Sequence, residues 1–370
     1  MDVQKRLFQW GELYNHSDTN EIFLQSVKKN VLFHIRHCKE YRAILKSRRF
    51  KTEKLTDIDD LHKLPPIPTL YLKNHKLASM SQKKMLIKST SSGTSGKRSF
   101  VGFDIRDLFL GFFMVRKVAN FHKLISYKPT NYIVLGYQPS KYNQAIIAKT
   151  ALGATFLAPA IHREYALRWE NGKYTLELER LKKTIGMYGK QPFPVRLIGF
   201  PSYLYFFLME LKKSGMKVKL KKDSKVFLGG GWKELDDVKV DKKILYDLLF
   251  DVLGIPEENC IEFFGVAEHP IIYCQCKNHH FHVPSYSRVI IRDVTSLEPV
   301  KNGEVGLLNL ITPMVNSIPL VSIMTDDLAV LHNGEECGCG IKTPYFELIG
   351  RVGLQDIKTC AANAAKHIQV

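Results

Sequence analysis

Ser89-Thr90-Ser91-Ser92-Gly93-Thr94-Ser95-Gly96-Lys97 is the stretch on which the fold turns. Two glycines let the backbone come close to a ligand. The hydroxyls and successive N–H groups around them offer donors to anionic oxygens, and Lys97 adds a point charge. That combination suits a polyphosphate. It is not a Walker loop: the first glycine position of that motif holds Ser91, and Arg98 stands where a Ser or Thr should follow the lysine. The apolar lead-in Met85–Lys88 and the Lys-Arg exit argue against a plain Ser/Gly linker.

Outward from this loop the pattern is strand, glycine, helix, repeated. Tyr132–Leu135 is a β-branched run and Gln144–Ala151 is helix-like. Val195–Gly199 reads as a strand and Pro201–Ser214 as a helix. Val226–Leu228 runs into Gly229-Gly230-Gly231, Lys242–Leu253 is helical, and Ile261–Gly265 is a strand ending in glycine. This alternation predicts an α/β fold with a largely parallel sheet and crossover helices, whose ligands bind beyond the carboxyl ends of the strands. Residues 1–47 have helical apolar spacing (Phe8, Trp10, Leu13, then Ile22, Phe23, Val27, Val31, Ile35), and three prolines keep Leu64–Pro68 extended. Beyond Pro270 the pattern changes to short strands and turns.

Composition excludes some alternatives. The chain of 370 residues is 45% hydrophobic, enough for a sizeable core and unlike a disordered chain. Its net charge of +18 favours polyanionic partners. The cations are spread along the chain, with small clusters at Lys46–Lys51 and Lys217–Lys222, so nucleic acid is not the expected partner. The most apolar stretch, Leu197–Met209, is interrupted by Gly199 and Pro201 and is too short to span a bilayer. No export signal is evident, so a cytoplasmic location is expected.

Seven cysteines in such a chain read as metal or thiol chemistry rather than a disulfide framework. Cys274-x-Cys276 is followed by His279, His280 and His282, and Cys337-x-Cys339 comes after 60 residues beyond Cys276. Soft ligands in close pairs suit tetrahedral zinc, although Cys-x-Cys is tighter than the commoner Cys-x₂-Cys. Cys38 and Cys260 sit among apolar neighbours and read as core. Tyr203, Tyr205, Phe206 and Phe207 read as packing rather than as an acyl channel.

The loop at 89–97 resembles the signature loop of the acyl-adenylate-forming enzymes, and further motifs follow in their order. Gly229-Gly230-Gly231-Trp232-Lys233 is similar to the turn that packs adenine. Phe264-Gly265-Val266-Ala267-Glu268 is similar to the segment whose glutamate helps hold Mg²⁺. Thr325-Asp326-Asp327 resembles the motif whose aspartate takes the ribose hydroxyls, and Gly350-Arg351 the Gly-Arg hinge. Within that superfamily the chain resembles the acyl-protein synthetases of the LuxE family. The residues that carry this are His37-Cys38-Lys39-Glu40-Tyr41, Leu197-Ile198-Gly199-Phe200-Pro201, His282-Val283-Pro284 and the run from Arg351-Val352 to Cys360-Ala361.

The resemblance implies ATP-dependent activation of a fatty or other carboxylic acid. The acyl group would then pass to a thiol at Cys360 and on to a partner fatty-acyl (acyl-CoA) reductase. CoA ligation of the phenylacetate–CoA ligase type is the alternative. It implies ATP and Mg²⁺ bound by Ser91, Ser92, Gly93, Thr94, Ser95, Gly96, Lys97, Gly229, Gly230, Gly231, Trp232, Phe264, Gly265, Glu268, Asp327 and Arg351. By similarity to phenylacetate–CoA ligases, Cys276 or Cys274 with His282, Cys337 and Cys339 would bind a structural zinc; an all-cysteine site is the other arrangement. The expected architecture is an acyl-adenylate-forming domain over 1–349. It comprises a helical region to about 85, a nucleotide-binding α/β core over 86–268 and a smaller β-rich subdomain over 269–349. A short tail, 350–370, carries Cys360, and the C-terminal lid of the superfamily is largely absent.

Overall fold

The computed structural model describes residues 2–91, 99–140, 146–170, 172–231 and 240–352. The chain divides into two compact units, Met1–Val118 with Val266–Val370, and Ala119–Gly265.

The first unit opens with helices α1 (Val3–Phe8), α2 (Asn20–His37) and α3 (Lys39–Ser47). α1 starts because the Asp2 carboxylate accepts the Gln4 and Lys5 N–H groups at 3.0 and 3.1 Å. α2 buries Phe23, Val27 and Val31 at helical spacing, each worth about 1.5–3 kcal/mol on transfer from water. The proline-rich segment gives the short strand β1 (Ile67–Pro68), followed by α4 (Thr69–Asn74). A hairpin of β2 (Ile87–Thr90) and β3 (Phe100–Phe103) then brackets the glycine loop, and α5 (Ile105–Phe121) follows.

The second unit holds the parallel sheet. Its strands are β4 (Thr130–Tyr137), β5 (Ala160–Glu170), β6 (Lys173–Leu176), β7 (Val195–Gly199), β8 (Lys225–Gly229) and β9 (Cys260–Val266). The helices between them are α6 (Ile146–Ala154), α7 (Leu178–Lys190), α8 (Pro201–Lys213) and α9 (Lys242–Leu253). The order is β9-β8-β7-β4-β5-β6, parallel except for the β5–β6 hairpin. Parallel strands are covered on both faces and so read as apolar runs; Arg196 in β7 is a polar exception. Pro201 opens α8, where a missing N–H costs nothing. Gly254, at φ +66°, ends α9. Ile133, Leu135, Leu181, Ile185, Leu197, Leu204, Phe207 and Leu249 share one core.

Back in the first unit, β10 (His269–Cys274), β11 (Phe281–His282), β12 (Arg288–Arg292), β13 (Val305–Ile311), β14 (Ser322–His332) and β15 (Tyr345–Arg351) supply the short strands expected beyond Pro270. The order is β11-β15-β14-β13-β12, with β1 joining β14 in parallel. Gln4, Asn30 and His34 hold the chain at 313–316: Gln4 Nε2 donates to the Pro313 carbonyl at 2.6 Å and Asn30 Nδ2 to that of Val315 at 2.9 Å. His34 Nε2 lies 3.0 Å from the same Val315 oxygen.

Candidate functional site

In the first unit, strand pairing gathers a polar cluster at the base of the glycine loop. Residues 92–98, with Ser92, Gly93, Thr94, Ser95, Gly96 and Lys97, lie outside the described residues. The residues that flank them are pinned together: Ser91 N donates to the Ser99 carbonyl at 3.1 Å, and Ser99 N to Ser91 Oγ at 3.0 Å. Ser99 Oγ in turn donates to Glu268 Oε1. Glu268 is buried. Burial pushes its carboxyl above the usual range, and the Ser99 hydroxyl and the Lys73 charge pull it partly back.

Asp326 belongs to the same cluster. It forms an ion pair with Lys73 at 3.6 Å and accepts from Thr69 Oγ1 at 3.3 Å. Lys73 and Thr69 arrive there because β1 pairs with β14, which seats α4 beside the strand carrying Asp326. Sequence reasoning missed Thr69, Lys73 and Ser99; none stands in a motif, and only the β1–β14 pairing and the loop hairpin bring them in.

Asp327 points the other way, as alternation along a strand requires. It lies opposite Arg351 in the β14–β15 register, and Arg351 Nε donates to Asp327 Oδ1 at 2.7 Å. The carboxylate is largely buried while the guanidinium is over half exposed. Thr325 Oγ1 accepts the Asp327 N–H at 3.1 Å and fixes the backbone.

A second cluster in the same unit gathers Cys276, His282, Cys337 and Cys339, whose ligand atoms all lie within 4.8 Å of one another. Cys276 Sγ is 3.5 Å from Cys337 Sγ, and Cys339 Sγ is 3.2 Å from His282 Nε2. A disulfide would need about 2.05 Å; four ligands around one tetrahedral zinc would sit about 3.5–3.8 Å apart. His282 Nδ1 lies 2.7 Å from the Thr343 carbonyl, which can only accept, so Nδ1 carries the proton and the Nε2 lone pair faces Cys339. The Asn278 and Ile341 N–H groups each donate to a cysteine sulfur at 3.4 Å. Gly338 and Gly340, both at positive φ, allow the chain to turn around Cys339. Burial pushes the Cys337 thiol up to about 12, with Cys339 and Cys276 adding to the rise. Of the two sequence alternatives, the structure groups Cys276 with the others; Cys274 is fully buried at the end of β10 and stands outside the group. His280 Nδ1 is a further neighbour, 3.1 Å from Cys337 Sγ.

In the second unit, Gly229, Gly230 and Gly231 end β8, and Phe264 and Gly265 lie just beyond the Gly229–Phe263 register pair on β9. Gly230 has φ +82°, and a Cβ there would come within 2.7 Å of Phe200 Cε1. Phe200 packs edge-to-face on Tyr203, ring centroids 5.4 Å apart. Tyr203 lines a cavity of about 700 Å³ with Leu135, Ala166, Leu181, Phe206 and Phe207. In the aromatic run read as packing, Phe207 is core with Tyr203 and Tyr205 packed against it, and Tyr203, Phe206 and Phe207 also wall this space. Trp232 and Cys360 lie outside the described residues. Among those described, no helix is long and apolar enough to cross a membrane.

A profile of the acyl-protein synthetase family, LuxE, matches residues 6–368. The chain is similar to the long-chain-fatty-acid–luciferin-component ligase of Aliivibrio fischeri, 23% identical over 365 residues, or 96% of this chain and 91% of that one. The ligase of the same name from Vibrio harveyi is 21% identical over 310 residues, covering 84% and 79%. Among solved structures, 2-hydroxyisobutyryl-CoA ligase in an open conformation with 2-HIB-AMP and CoA has a TM-score of 0.67 at 15% identity, over 94% of this chain and 77% of that one. The same enzyme in the postadenylation state with 2-HIB-AMP gives 0.66 at 15% identity, over 94% and 70%. The fold is therefore that of the adenylate-forming ligases.

Proposed function

The chain belongs to the LuxE acyl-protein synthetase family, and we propose that it activates a long-chain carboxylic acid with ATP and transfers the acyl group to a thiol. The observation that carries this reading is the Asp327–Arg351 pair: two motif residues 24 positions apart share one register position, at 2.7 Å.

In the first step a carboxylate oxygen attacks the α-phosphorus, a P–O bond forms, and the bond to pyrophosphate breaks. Negative charge moves onto the departing oxygens, so fixed donors and cations there lower the barrier. Asp327 offers two acceptor oxygens to vicinal ribose hydroxyls, and Arg351 holds that carboxylate in place. Glu268, oriented by Ser99, supplies an oxygen ligand of the kind Mg²⁺ prefers; bound there, the ion would neutralise charge on the leaving phosphates. Lys97 would serve the same charge from the loop. The apolar cavity beside Tyr203 suits an acid with a long hydrocarbon chain.

In the second step the Cys360 thiolate attacks the acyl carbonyl, AMP leaves, and the thioester is handed to a partner acyl reductase. Labelled fatty acid with ATP tests it. Label held in a hydroxylamine-labile bond and lost in Cys360→Ser supports the assignment; a thioester that persists in the variant removes it. Release of AMP that depends on added CoA would favour the CoA-ligase reading instead.

Cys276, His282, Cys337 and Cys339 fit a structural zinc. Three thiols and one imidazole with its tautomer already set leave no position open for substrate, so the ion would brace the turns around β11 and β15.

A further inference from the structure

The sheet of the second unit carries a row of cations that the reaction above does not use. Tyr132 on β4 is in register with Arg163 on β5 and with Arg196 on β7, and Arg196 is in register with Lys225 on β8. Neighbouring strands lie about 4.8 Å apart. The residues next to this row, Ile133, Leu197 and Val226, point into the core, so the row occupies the opposite face.

Arg196 is 3% exposed, yet its Nη1 has no hydrogen-bond partner. Its other contacts are the Tyr132 phenol and the face of Phe227, 5.4 Å from Cζ. Arg163 is held from the flank: its Nε donates to Thr155 Oγ1 at 2.8 Å, and its Cζ lies 5.3 Å from the Phe156 ring centroid. Lys225 is half-buried, and burial together with the Arg196 and Lys123 charges pushes its ammonium below the usual range. Among the described residues none of Arg163, Arg196 and Lys225 forms an ion pair. The acid that faces Lys225, Asp223, is engaged by Lys128.

A buried guanidinium with an open N–H, flanked by like charges and lacking a carboxylate, is costly unless an anion completes it. We propose that this row is a binding site for a phosphate-type oxyanion. Arg196 Nη1 and Lys225 Nζ are its principal donors, with Arg163 beside them; the Tyr132 hydroxyl, which donates to the Ala158 carbonyl at 3.2 Å, positions Arg196. A planar guanidinium and a compact ammonium from one register pair match the several equivalent oxygens of a phosphate. The site is separate from the glycine turn of the same unit. Lys225 begins β8 and Gly229 ends it, a span of about 13 Å at 3.3 Å per residue. Free inorganic phosphate and the terminal phosphate of an organic monoester share this chemistry.

Equilibrium dialysis of the full chain against labelled inorganic phosphate, at ionic strength held constant with chloride, tests the proposal. Saturable binding near one per chain is expected, at least tenfold weaker in Lys225→Gln and in Arg196→Gln, and unchanged in Lys97→Ala. Competition by glycerol 3-phosphate at concentrations similar to phosphate would identify a monoester site. Competition by inorganic phosphate alone would identify a free-ion site; either result supports the row. If Arg196→Gln does not fold, Lys225→Gln and Arg163→Gln carry the test. No saturable binding, or binding that survives Lys225→Gln but is lost in Lys97→Ala, overturns it.

Discussion

Ser99 Oγ donates to Glu268 Oε1, so the residue that closes the glycine loop also orients a buried acid 169 positions away. The link makes the protonation of Glu268 sensitive to the loop's anchor. Burial raises this carboxyl, and the Ser99 hydroxyl opposes the rise. A cation ligand must be ionised, so the acid limb of Mg²⁺-dependent pyrophosphate exchange should fall above the ordinary glutamate range. Ser99→Ala is expected to move that limb higher still. A limb that stays put in the variant would disconnect the two residues.

Stability should respond in the opposite sense. A carboxyl whose pKa is raised by folding holds its proton more tightly in the folded protein than in the unfolded chain. Its contribution is therefore favourable below the raised pKa and is lost as pH rises through it. Glu268→Gln keeps an acceptor for Ser99 and removes the charge. The variant is expected to melt at or above the parent temperature at neutral pH while losing exchange activity. A clear drop in melting temperature at neutral pH would count against this assignment.

Asp327→Asn keeps the size of the side chain but weakens both the bond to Arg351 and the grip on vicinal hydroxyls. Loss of charge-assisted bonds worth about 1.5–3 kcal/mol each corresponds to a rise in the KM for ATP of roughly ten- to a hundredfold. Arg351→Met should produce a smaller rise, because it removes the brace and leaves the carboxylate. Exchange kinetics at varied ATP measure both, and equal KM values in all three proteins would separate the pair from nucleotide binding.

Metal analysis of the purified chain should find about one zinc per molecule, as four ligands close one tetrahedral site. Cys339→Ser is expected to weaken retention by at least about tenfold and to lower the melting temperature. Since burial raises the Cys276 and Cys337 thiols, binding displaces protons, and metal should be lost as pH falls. Zinc well below one per chain with thiols fully titratable would contradict this.

Ala166 lines the cavity beside Tyr203. Ala166→Leu fills part of it. Each methylene no longer buried forfeits about 0.8 kcal/mol, roughly a fourfold loss per carbon. Exchange driven by long-chain acids should fall while that driven by butyrate is retained. A uniform fall across chain lengths would place the hydrocarbon elsewhere.

Much of this molecule is legible in the sequence because its local demands are strict. Gly230 and Gly254 need positive φ, Pro201 can open a helix but not interrupt one, and Val195–Gly199 is apolar apart from Arg196 because it is covered on both faces. α5 was harder to read: Ile105, Phe109, Phe112 and Val115 stay exposed along it, which blurs the contrast that marks a helix face. The choice between Cys274 and Cys276 is not written in the spacing. It follows the end of β10: Cys274 remains in the strand and is buried, while Cys276, beyond it, is grouped with His282, Cys337 and Cys339. Thr69 and Lys73 were invisible for a similar reason: a two-residue strand, β1, decides what they meet.

The bonds from Gln4, Asn30 and His34 to the carbonyls at 313 and 315 span 281 to 309 residues. At about 5–20 residues per second, a ribosome needs roughly 15–60 seconds to deliver those acceptors after α2 has emerged. Throughout that interval α2 can pack on its sequence neighbours α1 and α3, but the Asn30 amide and His34 ring lack the Val315 carbonyl they meet in the folded chain. Nascent chains of this protein should therefore carry an attached chaperone at the N-terminal helices until the segment at 313–315 has left the ribosome.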